Sequence, residues 1–285
     1  MFLRPDKAEK LAFATLKICM ASVIIFVSVL LIHIIVNGYS VLSIEFITQM
    51  PMKRMTEGGI YPAIVGTVSL IGLSMALAVP LGILSAIYLN EYSSPGRASW
   101  AIEMAINNLA GTPSVVFGLF GLALFVKYFG FGPSILSASL TLALLILPVI
   151  IRASKEALMT VPQEYREASL ALGITKWQTT RKVILPAAIP GIMTGIVLSI
   201  GRVAGETAPI LLTGAAYFLP RIPDSVFSQF MALPYHLFVL ATSGTSISQT
   251  RPLQYGTALV LLFIVFMMNG IAVVIRNHYR KKLSR

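Results

Sequence analysis

The amino-acid sequence predicts an all-α polytopic membrane protein with six transmembrane helices. Of its 285 residues, 56% are apolar and 12% are charged. The mean hydropathy is +0.82, well away from the balance of a soluble domain. Six stretches are apolar over the ~20 residues a helix needs to cross a bilayer: roughly 14–36, 62–89, 104–126, 134–151, 187–212 and 255–275. Basic residues also gather on alternate connecting segments, as a chain with one fixed topology requires.

The first stretch exceeds the apolar run of about 7–15 residues found in a secretory signal. Asn37-Gly38-Tyr39 follows it in place of a small-residue cleavage site, so it is expected to remain as a span. Pro51, Gly58 and Gly59 make 37–61 a loop, Ser-Pro-Gly punctuates a short turn at 90–99, and 127–133 is a tight turn. The polar segment 152–182 separates the fourth and fifth spans. The long segment 213–254 contains Pro220, Pro223, Pro234 and Pro252. Within it, Val226 to Leu240 is apolar but short for a span, and is expected to be an interfacial or re-entrant element. The whole chain, 1–285, reads as a single transmembrane domain with core helices over about 61–275.

The formal net charge of +11 follows the topology. With the N-terminus inside, 16 of the 22 Lys and Arg residues lie on inner segments. Lys53, Arg54, Lys127, Arg221 and Arg251 lie outside, and Arg202 lies within a span. The positive-inside rule then puts both termini and 152–182 in the cytoplasm, with 37–61 and 213–254 external. Nucleic acid is not required to explain the charge. Cys19 is alone, His33, His236 and His278 are dispersed, and no HExxH, GxSxG or CxxC occurs. Neither a metal site nor a catalytic set is expected. There is also no GxxxxGK[ST], so any ATP hydrolysis must come from another subunit.

Between Pro162 and Gly173 the sequence predicts a helix over 162–172, about 16 Å long at 1.5 Å per residue. Proline suits the first turn, and glycine suits the left-handed position past the end. Tyr165, Ala168, Ser169 and Leu172 share one face by helical spacing. Such a helix can dock in a partner's groove; the plainer alternative is a solvated or interfacial loop.

The fifth span carries the only charges expected at depth, Arg202 and Glu206, four residues apart. Buried charges are costly unless paired or facing water, and are functional candidates. On a continuous helix Gly195, Ser199, Arg202, Glu206, Pro209 and Thr213 fall on one small, polar stripe. The stripe reads either as the wall of a water-accessible pathway or as a buried ion pair that fixes helix packing. A guanidinium fork matches the oxygens of an oxyanion. Glu206 would keep such an anion from being held too tightly.

Glu167-Ala168-Ser169, then Gly173, then Val183, Leu185 and Pro186 resemble the EAA loop of ABC importer permeases, which an ATPase subunit grips; Ser169 stands where that pattern has alanine. Gly205-Glu206-Thr207-Ala208-Pro209 and the segment Asn108 to Gly121 resemble signatures of Pst-type phosphate permeases, and the likeness runs from about 61 to 275. The resemblance implies a type I importer permease with a MetI-like core, taking up inorganic phosphate across a bacterial inner membrane. The Glu-Thr-Ala-Pro run and the long fifth-to-sixth loop fit the PstA branch better than its PstC sister. Implied partners are a PstC-like permease, a PstB-like ATPase dimer carrying ATP and Mg, a PstS-like phosphate-binding protein and the lipid bilayer. No cofactor is implied on this chain. Arg202, Glu206, Ser199, Thr213, Thr112 and Ser114 would line the substrate pathway, and Glu167, Ala168 and Gly173 would couple to the ATPase. Helix capping is the plainer role for Thr112 and Ser114, and membrane anchoring for Arg152. Sulfate, molybdate or phosphonate remain alternative substrates. An intramembrane enzyme or a sensory subunit are the rival classes.

Overall fold

A computed structural model describes residues 5–55, 57–94, 96–242 and 247–283. The chain runs α1 (Pro5–Gly38), α2 (Ile44–Thr48), β1 (Pro51–Met52), β2 (Glu57–Gly58), α3 (Tyr61–Ile87), α4 (Arg97–Gly111), α5 (Ser114–Gly121) and α6 (Ile135–Met159). It continues with α7 (Gln163–Ala171), α8 (Lys176–Thr179), α9 (Leu185–Gly205), α10 (Ala208–Thr213), α11 (Leu233–Thr242) and α12 (Ile247–Leu283). Wide π turns extend α3 through Tyr88–Tyr92 and α5 through Leu122–Tyr128, and join α8 to α9 through Thr180–Ile184. The two short strands pair antiparallel, Pro51 opposite Gly58 and Met52 opposite Glu57.

Among the described residues, five helices are each long and apolar enough to cross a membrane as single spans: Ala12–Val41, Tyr61–Tyr92, Ile135–Met159, Lys176–Gly205 and Thr250–Lys281. A sixth forms only if two helices are counted together, because Arg97–Gly111 and Ser114–Tyr128 meet at 105°. The stretch 104–126 is therefore not one straight helix. Thr112, before Pro113, is extended at φ −74°, ψ 132°, the conformation that the proline ring imposes on its predecessor. The fifth stretch also ends early. Its helix stops at Gly205, Glu206 is extended at φ −73°, ψ 129°, and a separate short helix starts at Ala208. A helix continued through Pro209 would drive its ring into the carbonyl of Gly205.

α6 is the axis of the packing. Two thirds of its most apolar window (67%) is buried, against none of α1. Membrane helices approach closely through small residues, and three glycines do this here. A Cβ at Gly82 of α3 would sit 2.5 Å from Ile150, one at Gly191 of α9 2.6 Å from Ala157, and one at Gly195 2.4 Å from Ala153. α1 leans on α12 instead, where His33 Nε2 and the Tyr255 hydroxyl are hydrogen-bonded at 3.1 Å.

The segment after α10 is folded against the bundle. Thr213, Ser228 and Val226 carbonyls accept from the Ser134, Ile135 and Leu136 amides at 3.0, 3.1 and 2.8 Å. These bonds satisfy free N–H groups at the start of α6. Phe230, Met231, Ala232 and Leu233 are buried. The Leu233 amide donates to Thr67 Oγ1 at 2.8 Å, which fixes the start of α11 to α3. Residues 243–246 of the 213–254 segment, and Pro95 of the 90–99 turn, lie outside the described residues.

Candidate functional site

Arg202 occupies the last turn of α9, where the partial negative charge of the helix end favours a cation. Glu206 follows in the extended break. Arg202 Nε lies 3.5 Å from Glu206 Oε1, with side-chain exposures of 37% and 16%. That separation is long for a hydrogen bond. The two terminal guanidinium nitrogens of Arg202 have no hydrogen-bond partner among the described residues. A Cβ at Gly201 or Gly205 would meet nothing within 4 Å, so the space beside Arg202 is open.

The two spans that break pack on each other through the helices that follow their breaks. A Cβ at Gly118 of α5 would lie 3.0 Å from Pro209 Cα and 3.2 Å from the Ala208 carbonyl oxygen. A Cβ at Gly121 would lie 2.0 Å from Thr141 Oγ1. Glycine at both positions lets α5 wedge between α6 and α10. The second half of one broken span, α5, thus packs on the second half of the other, α10, and Arg202 and Glu206 stand just ahead of α10 in the chain.

The polar stripe does not survive as one face. Ser199 and Thr213 are fully buried, and their hydroxyls donate to the Gly195 and Pro209 carbonyls at 2.9 and 2.8 Å. Gly195 is filled by Ala153. The small residues there serve close helix packing, and the break at 206–207 rotates Pro209 and Thr213 away from the line of α9. Thr112 Oγ1 donates to the Asn108 carbonyl at 2.9 Å, at the end of α4. Ser114 opens α5 and is half-buried. Arg152 Nη2 donates to Asn107 Oδ1 at 2.6 Å, and Lys155 pairs with Glu103, so both tie α6 to α4.

On the polar loop, the helix starts one residue later than expected. Pro162 is extended at φ −54°, ψ 142° and stands just before α7. Gly173 adopts φ +73° past its end, the left-handed region that glycine enters without steric cost. The chain then turns into α8, whose start carries a Thr175–Gln178 capping box. Of the expected face, only Ser169 is buried; its hydroxyl bonds Thr179 Oγ1 at 2.9 Å. Tyr165, Leu172 and Trp177 are exposed, Leu172 to 79%. Glu167 and Ala168 are exposed too. Large exposed apolar side chains on an otherwise polar loop are candidates for a contact surface.

Sequence reasoning missed what holds this loop. Arg166 and Glu91 form a buried ion pair at 2.9 Å, 75 residues apart. An acidic residue just past an apolar span, with no partner nearby in sequence, was the available signal.

Residues 78–285 match the family described as "binding-protein-dependent transport system inner membrane component". The chain belongs to that family. Among its relatives, the phosphate transport system permease protein PstA 1 of Mycobacterium tuberculosis (strain ATCC 25618 / H37Rv) is 41% identical over 226 residues, covering 79% of this chain and 72% of that protein. The probable ABC transporter permease protein YqgI of Bacillus subtilis (strain 168) is 33% identical over 288 residues, 97% of each chain. Among solved structures, a bacterial alginate ABC transporter in complex with its alginate-bound periplasmic protein superposes with a TM-score of 0.67 at 18% identity, over 98% of this chain and 96% of that one. The inward-facing MetNI methionine ABC transporter gives 0.57 at 18% identity, over 78% and 94%. The fold is that of a MetI-like permease. This binding-protein-dependent transport component is a multi-pass inner-membrane transport subunit.

Proposed function

We propose that this chain is a PstA-type permease subunit of an ATP-driven importer of inorganic phosphate, and forms half of the translocation pathway. Its kinship with PstA permeases carries the reading. Arg202 supports it: its charge stands at the break of the fifth span, 37% exposed beside open space. Its fork of donors matches an oxyanion, and Glu206 tempers its charge. The two termini and the loop carrying α7 and α8 lie in the cytoplasm, as the distribution of basic residues favours. There Glu167, Ala168 and Gly173, with the exposed Tyr165 and Leu172, meet a PstB-like ATPase dimer, which carries the ATP and Mg. This chain holds no cofactor. A PstC-like permease completes the pathway, and a PstS-like protein delivers phosphate from outside. Closure of the ATPases shifts the loop, and the spans rock between inward- and outward-facing states about a site in the membrane.

The test is uptake of labelled phosphate into proteoliposomes that contain the purified complex, with binding protein inside or outside as orientation requires. ATP-dependent phosphate accumulation, undiminished by excess sulfate or molybdate, is expected. Accumulation of another oxyanion in preference to phosphate would overturn the substrate.

A further inference from the structure

We propose that Arg166 and Glu91 form a clamp that makes α7 move as one body with the adjoining ends of α3 and α6, so that this pair transmits the ATPase's push. The proposal rests on the reading of the α7–α8 loop as an ATPase coupling element. Arg166 stands in the second turn of α7. Its Nη2 lies 2.9 Å from Glu91 Oε1, and its Nε 3.5 Å from Glu91 Oε2. The same guanidinium donates from Nη2 to the Leu158 carbonyl at 2.9 Å and from Nη1 to the Val161 carbonyl at 2.8 Å. Leu158 is in the last turn of α6, and Glu91 is in the π turn that ends the second span. One side chain therefore joins three elements.

The joint is sheltered, with side-chain exposures of 14% for Arg166 and 6% for Glu91. A pair out of water is screened little by salt, and the planar fork fixes direction as well as distance. A second link runs in parallel: Lys176 Nζ of α8 lies 5.1 Å from the centre of the Tyr92 ring, within cation–π range. Ser169 and Thr179 lock α7 to α8. The loop is thus fastened to Glu91 and Tyr92 of one π turn, whereas the exposed Tyr165, Leu172 and Trp177 are left for a partner. π turns of this kind are frequent at functional positions. A displacement of α7 has no slack loop to absorb it before it reaches α3 and α6.

The readout is the ATPase rate of the purified complex with loaded binding protein divided by the rate without it. In Glu91→Gln and in Arg166→Lys, the complex should keep its subunits and its basal hydrolysis, and the ratio should fall toward one. Lysine is a point charge and cannot reach a carboxylate and two carbonyls together. In a Cys19→Ser background, Glu91→Cys/Arg166→Cys should also be uncoupled, and a short bifunctional thiol reagent that bridges the two cysteines should restore the ratio. A merely structural role would change the amount of complex and leave the ratio per complex alone. Three results would overturn the clamp: an unchanged ratio in Glu91→Gln, a complex that falls apart on that substitution, or a bridged double variant that stays uncoupled. The ratio does not depend on which oxyanion is carried, so failure of the phosphate reading and failure of the clamp are told apart.

Discussion

Replacement of Gly173 separates backbone conformation from side-chain contact in the coupling loop. The residue sits at φ +73°, and a Cβ there would meet nothing within 4 Å. Any penalty of substitution is therefore conformational. For a non-glycine residue the left-handed region costs roughly 1–2 kcal/mol, and a β-branched side chain stands at the upper end of that range. One to two kcal/mol corresponds to about a 5- to 30-fold loss in the population of the native elbow. Asparagine tolerates the conformation best among the others. Gly173→Asn should retain most binding-protein-stimulated ATPase activity, Gly173→Ala less, and Gly173→Val least, with membrane insertion intact in all three. Co-purification of the ATPase and the stimulated rate check this order. A Gly173→Val complex that hydrolyses and transports at the normal rate would refute the reasoning, as would equal loss in all three variants, which would point to a steric contact at the surface.

Two further outcomes concern the segment between α10 and α11 and its attachment to α3. Ser225 is exposed on the segment between α10 and α11; in a Cys19→Ser background, Ser225→Cys should react with a membrane-impermeant thiol reagent applied from outside, and labelling only from the cytoplasmic side would reverse the topology. Thr67→Val should strand the Leu233 amide without its 2.8 Å acceptor, at a cost of about 1–3 kcal/mol for a buried unsatisfied donor. Thr67→Ser should restore stability; equal melting temperatures of the purified Val and Ser variants would show that the α3–α11 bond contributes nothing.

Composition and apolar length made five spans legible, because a bilayer demands the same ~20 apolar residues wherever a helix crosses. The breaks were less so. Pro80, Pro148 and Pro190 lie inside continuous helices, whereas Pro113 and Pro209 accompany breaks, so proline alone does not separate a kink from an end. At Thr112 the freed backbone is capped by its own hydroxyl. At Glu206 the break falls between a helix end that holds Arg202 and a new helix packed on Gly118. Helical periodicity carried Gly195 and Ser199 onto the face of Arg202, but could not say that Ala153 fills that face. Gly173 was legible because its conformation is local. The Glu91–Arg166 pair was not, because only the tertiary fold brings together residues 75 apart. The order in 213–242 likewise comes from acceptors and donors on α3 and α6.

In the proposed pathway Arg202 serves the transported oxyanion and is not merely half of a structural pair. The geometry makes the two separable: with Arg202 37% exposed and 3.5 Å from Glu206, the pair should contribute only about 0–1 kcal/mol to stability. Phosphate uptake by proteoliposomes carrying Arg202→Gln, Glu206→Gln and the double variant, each normalised to assembled complex, tests this directly. Arg202→Gln should assemble, bind ATP and fail to take up phosphate, Arg202→Lys should recover little, and the double variant should stay inactive. Recovery of uptake in Arg202→Gln/Glu206→Gln would contradict the account and make the pair structural.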